Sequence, residues 1–314
     1  DDPSVADTSV SSLFLSAGTP SLSILIPFYR DDPSVLLRSL DQQEVNPAAV
    51  EVLVMDDGSA DAVLTRHTDA TIRAMRLPAQ LVTSPLNRGR SATRNALQHL
   101  SKAPWVLFLD ADMRVDHPGF LSRYLDRIEG NACDIVFGGF SVEDTASDPE
   151  TDLHRVLSGH SDCLSAEERR RSGAQHVASS NLCVRKSVLE ADPFDPAFTG
   201  WGWEDSEWAA RVSAKHRLCH IDNPAVHLGL ETTESLLSRF AGSGGNYMRF
   251  VTAHPALAES LPLYRIVTRL RAIPGQSLAR APLRCLVRMT ALPIRLRIAA
   301  LKLWRASHYA EAMK

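Results

Sequence analysis

An apolar run ends in two carboxylates at Val106-Leu-Phe-Leu-Asp-Ala-Asp112. Asp110 and Asp112 repel each other unless a cation neutralises them, and hard oxygen ligands suit Mg²⁺ or Mn²⁺. The competing reading is an acidic turn that caps the next helix. Four further groups carry chemistry. Asp56-Asp57-Gly58-Ser59 is either turn chemistry or a carboxylate that accepts hydrogen bonds from a base or sugar. Asn87-Arg88-Gly89 through Arg94-Asn95 places guanidinium groups at a helix start, where unpaired N–H groups favour phosphate. Gly200-Trp-Gly-Trp-Glu-Asp205 sets flat apolar rings beside two acids, one of which could act as a general base. The same acids would also complement a helix dipole. His227 gains a ligand role only beside a metal.

The elements that must position these residues follow from periodicity. Residues 105–109 and 50–55 read as strands buried on both faces, each ending in its acids. Residues 23–27 and 80–83 read as further short strands. Helices are expected over 31–43, 61–76, 91–100 and 117–128. This alternation predicts a Rossmann-like α/β fold, a mostly parallel sheet flanked by helices. Ligands then sit at the carboxyl ends of the strands. Strands are expected at 134–140, 176–184, 217–221 and 225–227, and helices at 203–215 and, interrupted near Gly242, at 232–250. Residues 1–20 read as a loose arm. The polar stretch 141–175 reads as a long loop that could close over the site.

The chain has 314 residues and a net charge of −3. Its five cysteines form no Cys-x-x-Cys pair, which predicts free thiols in a reducing cytosol. No apolar run is long enough to span a bilayer, and residues 1–16 lack the basic start of a signal peptide. Between Ser260 and Ala310 there is no acid, against ten Lys or Arg. Leu286, Met289, Leu296, Leu301 and Trp304 interleave with these charges, in helices expected to break at Pro274-Gly275, Pro282 and Pro293. An anionic membrane surface fits that composition, which would make the protein cytoplasmic and peripheral at the inner face of the membrane. The alternatives are packing on the acidic body or a homo-oligomer contact. Aromatics for base stacking are few, which argues against nucleic acid.

Taken together, residues 21–249 resemble the family 2 glycosyltransferases, with the motifs in family order. Ile24-Leu-Ile-Pro27-Phe-Tyr29 resembles the first strand and its nucleotide-contacting segment. Asp56-Asp57 resembles the acidic motif that holds the base, and the stretch from Asn87 and Arg88 to Arg94 resembles the one that flanks the diphosphate. Asp110-Ala-Asp112 resembles the metal motif. The resemblance implies that Asp112 ligates Mn²⁺ or Mg²⁺, and that Asp110 contacts the ribose or orients the metal shell. The segment Trp201-Gly202-Trp203-Glu204-Asp205 resembles the acceptor-side motif of galactosyl- and N-acetylgalactosaminyl-transferases. That implies Asp205 as catalytic base, Glu204 as an acceptor holder and His227 as a further metal ligand.

The resemblance therefore implies a glycosyltransferase A-type fold over residues 21–255, with a basic helical extension over 256–314. It implies inverting transfer of a hexosyl or N-acetylhexosaminyl group from a nucleotide-sugar, with UDP as the carrier by resemblance, to a glycan or lipid-linked acceptor in polysaccharide or glycoconjugate synthesis. Two other readings compete. A haloacid-dehalogenase-like phosphatase would place its Asp-x-Asp strand earlier and leave the tryptophan segment unexplained. A non-catalytic sugar-nucleotide-binding scaffold would have no use for Asp205.

Overall fold

In the computed structural model, residues 7–16, 18–143 and 145–314 are described. The strands are β1 (Asp7–Val10), β2 (Leu22–Phe28), β3 (Val50–Asp56), β4 (Ala79–Thr83), β5 (Trp105–Leu109), β6 (Met113–Arg114), β7 (Ile135–Phe137), β8 (Phe140–Ser141), β9 (Asn181–Arg185), β10 (Leu218–His220) and β11 (Ala225–His227). The helices of the first half are α1 (Ser34–Asp41), α2 (Ala62–Ala74), α3 (Arg90–Leu100) and α4 (Phe120–Glu129). Those that follow are α5 (Asp152–Ser161), α6 (Ala166–Ser172), α7 (Lys186–Ala191), α8 (Glu204–Ser213), α9 (Thr233–Gly242) and α10 (Gly244–Ala253). The chain closes with α11 (Pro255–Ser260), α12 (Pro262–Arg271), α13 (Arg280–Arg288) and α14 (Ile294–Ala312).

Eight strands form one sheet in the order β1-β4-β3-β2-β5-β9-β7-β10. The central strands β4, β3, β2 and β5 run parallel, while β1 and β9 run antiparallel to their neighbours. Every residue of β3 and β5 is buried, as their largely apolar sequences require, and the one acid inside β3, Glu51, accepts from the Ser23 hydroxyl and the Lys102 N–H. Helix-covered cores lie on both faces of the sheet. The register sets Phe28 beside Asp56, so the segments that follow β2, β3 and β5 open at one end of the sheet. A second sheet, β6-β11-β8, sits at that end. Gly138 and Gly139 carry the chain between the two sheets. A side chain on Gly138 would lie 2.1 Å from the Tyr124 hydroxyl, so the strand expected over 134–140 divides into β7 and β8.

Several expectations are corrected. Part of the arm is ordered: β1 pairs with the edge of β4, where unpaired backbone groups await a partner. Its first six residues lie outside the described set. The stretch 141–175 is not a loop but carries α5 and α6. Its polarity misleads because Arg169 is buried and donates to the carbonyls of Phe137, Gly138 and Ile221. The capping box of Ser165 with Glu168 was a helix-start signal within the sequence. Cys133 and Cys219 are not free thiols. They form a disulfide with Cα atoms 6.0 Å apart, brought together by the pairing of β7 with β10. Pro282 does not end a helix. It lies in the first turn of α13, where no N–H is needed.

The basic tail packs on the body. Val287, Leu301 and Trp304 join Leu236, Leu237 and Phe240 of α9 in one buried cluster. Arg284 and Arg288 pair with Glu234. Leu286, Met289, Leu296 and Leu303 remain exposed. Among the described residues, no helix is long and apolar enough to cross a membrane.

Candidate active site

A cavity of about 420 Å³ opens where β2, β3 and β5 end. Pro27, Tyr29, Asp57 and Asn87 border it, as do Asp110, Asp112 and Trp201. Asp57 uses both oxygens on the opposite loop, accepting from the N–H groups of Arg88 at 2.8 Å and Gly89 at 2.9 Å. Burial pushes its carboxyl above the ordinary value, against the pull of those bonds. Gly58, at φ +74°, makes this close approach possible, since a side chain there would sit 2.5 Å from the Asn87 nitrogen. Asp56 stands behind the wall. One oxygen accepts from the Ser59 N–H at 2.8 Å, and the other is buried without a partner. Arg88 reaches the site through its backbone and does not border the cavity with its side chain.

Arg94 projects from α3 into the centre of the site and is 1% exposed. Three carboxylates surround its guanidinium: Asp110 at 3.3 Å, Glu204 at 3.6 Å and Asp205 at 3.7 Å. Burial disfavours its charge, yet these neighbours raise its pKa further. Glu204 is itself buried and also faces Arg90 at 3.6 Å. It borders neither cavity described here and acts toward the arginines.

Asp205 lies in the first turn of α8, a helix anchored by the fully buried Trp208, whose indole donates to the Asp192 carbonyl. Its Oδ2 accepts from the Ser179 N–H at 3.0 Å and the Ser179 hydroxyl at 3.1 Å. Its Oδ1 is buried without a hydrogen bond. Burial, helped by the charges of Glu204 and Asp110, pushes the carboxyl up to about 6, although Arg94 and the Ser179 N–H pull it down.

Asp112 and His227 meet because β6 pairs with β11 in the register that sets Met113 opposite His227. His227 Nε2 lies 3.2 Å from Asp112 Oδ2. Burial opposes the charge on each, but their mutual hydrogen bond prevails and lowers the acid while raising the imidazole. Gly229 leaves the space for this pair, since a Cβ there would fall 1.9 Å from Asp112 Oδ2. Among the described residues no three His, Cys, Asp or Glu form a group that could hold a metal by themselves. Mg²⁺ and similar hard cations commonly take one or two protein carboxylates and complete their shell with substrate phosphate and water. The pair therefore fits a cation that is bound together with a diphosphate. Gly229→Ala is expected to weaken Mn²⁺ binding in the presence of UDP by about 10- to 100-fold, as displaced supporting contacts do. Calorimetry with and without UDP measures it, and unchanged affinity would rule this pair out as metal ligands.

A second cavity, of about 590 Å³, adjoins the first across Asp110, Asp112, Arg90, Trp201 and Arg239. Asp205 and His227 border it. Of the two tryptophans expected to meet an acceptor, Trp201 borders both cavities. Trp203 and Gly202 border neither. Trp203 packs against Tyr247 and Phe250, and its indole donates to the Tyr309 hydroxyl at 3.0 Å. The Gly202 carbonyl accepts from Asn246. Arg239 and Ser180 were not singled out from the sequence. Arg239 reaches the site from α9, pairing with Glu231 at 2.5 Å, and no motif marks it. Ser180 follows the serine that holds Asp205.

Comparison with known proteins places the fold and the family. An uncharacterised glycosyltransferase of Haemophilus influenzae is 30% identical over 149 residues, 43% of this chain and 48% of that protein. Validoxylamine A glucosyltransferase of Streptomyces hygroscopicus is 25% identical over 272 residues, 77% of this chain and 58% of that protein. The chain thus spans about half the length of these curated relatives. Among solved structures, Staphylococcus aureus TarS 1-349 shares the fold with a TM-score of 0.53 at 14% identity, covering 93% of this chain and 90% of that one. The mannosyltransferase PcManGT of Pyrobaculum calidifontis has a TM-score of 0.57 at 16% identity, covering 92% of this chain and 86% of that one. Residues 23–191, more than half of the chain, match the family described as glycosyl transferase family 2, and the chain belongs to that family.

Proposed function

We propose that the protein transfers a sugar from a nucleotide-sugar donor to an acceptor hydroxyl, with inversion. The observation that carries this reading is Asp205. One of its oxygens is fixed by Ser179, and the other makes no hydrogen bond and lies 3.7 Å from Arg94 at the wall of the second cavity. A group so placed can take the hydroxyl proton as that oxygen attacks the anomeric carbon. The new carbon–oxygen bond forms as the bond to the diphosphate breaks, and its electron pair leaves with the phosphate oxygen. Displacement from one side in a single step inverts the centre.

The donor occupies the cavity bordered by Pro27, Tyr29, Asp57 and Asn87. A divalent cation held by Asp112 and His227 would offset charge growing on the leaving diphosphate. Arg90 and Arg239, which border both cavities, supply further positive charge to that region. Arg94 serves chiefly as counter-ion to Asp110, Glu204 and Asp205. Neighbours of the same fold support the donor class: TarS 1-349 was solved with UDP-GlcNAc and PcManGT with GDP-Man and Mn²⁺. A panel of UDP- and GDP-sugars with Mn²⁺, assayed for nucleoside diphosphate release with and without sugar acceptors, tests the reading. Acceptor-stimulated release is the expected result. Binding of donors without any release would favour the scaffold reading instead.

A further inference from the structure

The second cavity carries an imbalance of charge. Its carboxylates are Asp31, Asp110, Asp112, Asp162, Asp205 and Glu231, and its arginines are only Arg90 and Arg239. Most of the charge is already assigned. Glu231 pairs with Arg239, Asp112 with His227 and Asp110 with Arg94. Arg90 faces the buried Glu204. Asp205 shares Arg94 with two other acids. Among the described residues neither Asp162, which has the Ser158 hydroxyl at 3.1 Å, nor Asp31 makes an ion pair, although Asp31 borders both cavities and feels Arg90 and Arg239 at longer range. A cation bound with a diphosphate brings charges that largely cancel each other, so the surplus stays negative.

An independent observation points to a ligand. Ser180 borders the same cavity, is 7% exposed, and its hydroxyl has no hydrogen-bond partner. A buried hydroxyl without a partner costs free energy unless something completes it. A ligand rich in hydroxyl groups would do so. The cavity volume lies in the range that encloses a small molecule.

We propose that the acceptor end entering this cavity is a polyhydroxylated ring that bears a protonated amine and no anionic group. This rests on the transferase reading and adds the chemical class of the acceptor. Asp31 and Asp162 attract the amine, Ser180 takes one ring hydroxyl, and the attacking hydroxyl meets Asp205. Uronate or phosphate on the same ring would face uncompensated carboxylates.

The test uses three sugars that differ at one substituent: glucosamine, glucose and glucuronate. Each is titrated by calorimetry into the full chain loaded with UDP and Mn²⁺. Glucosamine is expected to bind at least tenfold more tightly than glucuronate, with glucose between them. The double variant Asp31→Asn, Asp162→Asn should shrink the glucosamine-to-glucose preference to less than threefold. Ser180→Ala should weaken all three sugars together. Glucuronate binding as well as glucosamine, or no binding by any of the three, overturns the proposal. Binding of UDP with Mn²⁺ is measured on the same sample. Its loss would count against the transferase reading itself, whereas intact UDP binding with the wrong sugar order counts only against this acceptor class.

Discussion

Asp205→Asn is expected to cut sugar transfer by about 10³-fold, within the range that a positioned general base supplies. UDP and Mn²⁺ should bind nearly as before, because Asp205 borders only the second cavity. The wild-type profile provides a second check. Burial holds the Asp205 carboxyl up at about 6, so it is protonated below that pH and transfer should fall about tenfold per unit there. The variant should lose that limb. The sign of the stability effect separates chemistry from folding. A carboxyl whose folded pKa exceeds its unfolded value binds its proton more tightly when folded, so stability declines as pH rises through the window between about 4 and 6. Asparagine cannot ionise and escapes that decline. The variant should therefore be at least as stable as the wild type at pH 7 by urea titration. A variant that transfers sugar at near-wild-type rate would remove Asp205 from the mechanism.

Arg94→Met is expected to lower stability by about 3–5 kcal/mol, the usual cost of stranding buried charges. The guanidinium is 1% exposed, and Asp110, Glu204 and Asp205 all lie within 3.7 Å of it. Methionine fills much of the volume but answers none of the charge. The stranded carboxyls would then hold protons more tightly than in the unfolded chain, so acid should restore part of the loss. Urea titrations at pH 7 and pH 5 measure both effects. A loss below about 1 kcal/mol at pH 7 would mean that solvent reaches the cluster and that Arg94 is free for another task.

The extent to which sequence revealed this site depended on how local each signal was. The strand 105–109 and its acids were legible because a continuous apolar run and an abrupt stop need no distant partner. The α/β alternation was legible for the same reason. Trp203 was misplaced because it shares its composition with Trp201. Only the backbone separates them, with Trp203 at φ +74° as the N-cap of α8 and its ring turned toward the helical layer. Arg239 and Ser180 gave no signal. Their role depends on α9 and β9 returning to the sheet end far along the chain. The Cys133–Cys219 pair spans 86 residues and is visible only once β7 lies beside β10. Arg169 lies in the polar stretch that read as a loop, whereas its partners are backbone carbonyls that no side-chain pattern discloses.

The contact of Trp203 with Tyr309 bears on where this protein can be cut. Tyr309 lies in the last helix, its hydroxyl shared between the Trp203 indole and Ser243, and Asp205 stands two residues beyond Trp203. A boundary drawn at the end of the matched family segment, residue 191, would remove Trp203 and Asp205 altogether, and one after α10 would leave Trp203 without the hydroxyl that its indole reaches. Transplanting the proposed sugar transfer onto another scaffold would therefore require the terminal helix to travel with it. Random changes along α14 become a reservoir of variation in how the proposed base is aimed.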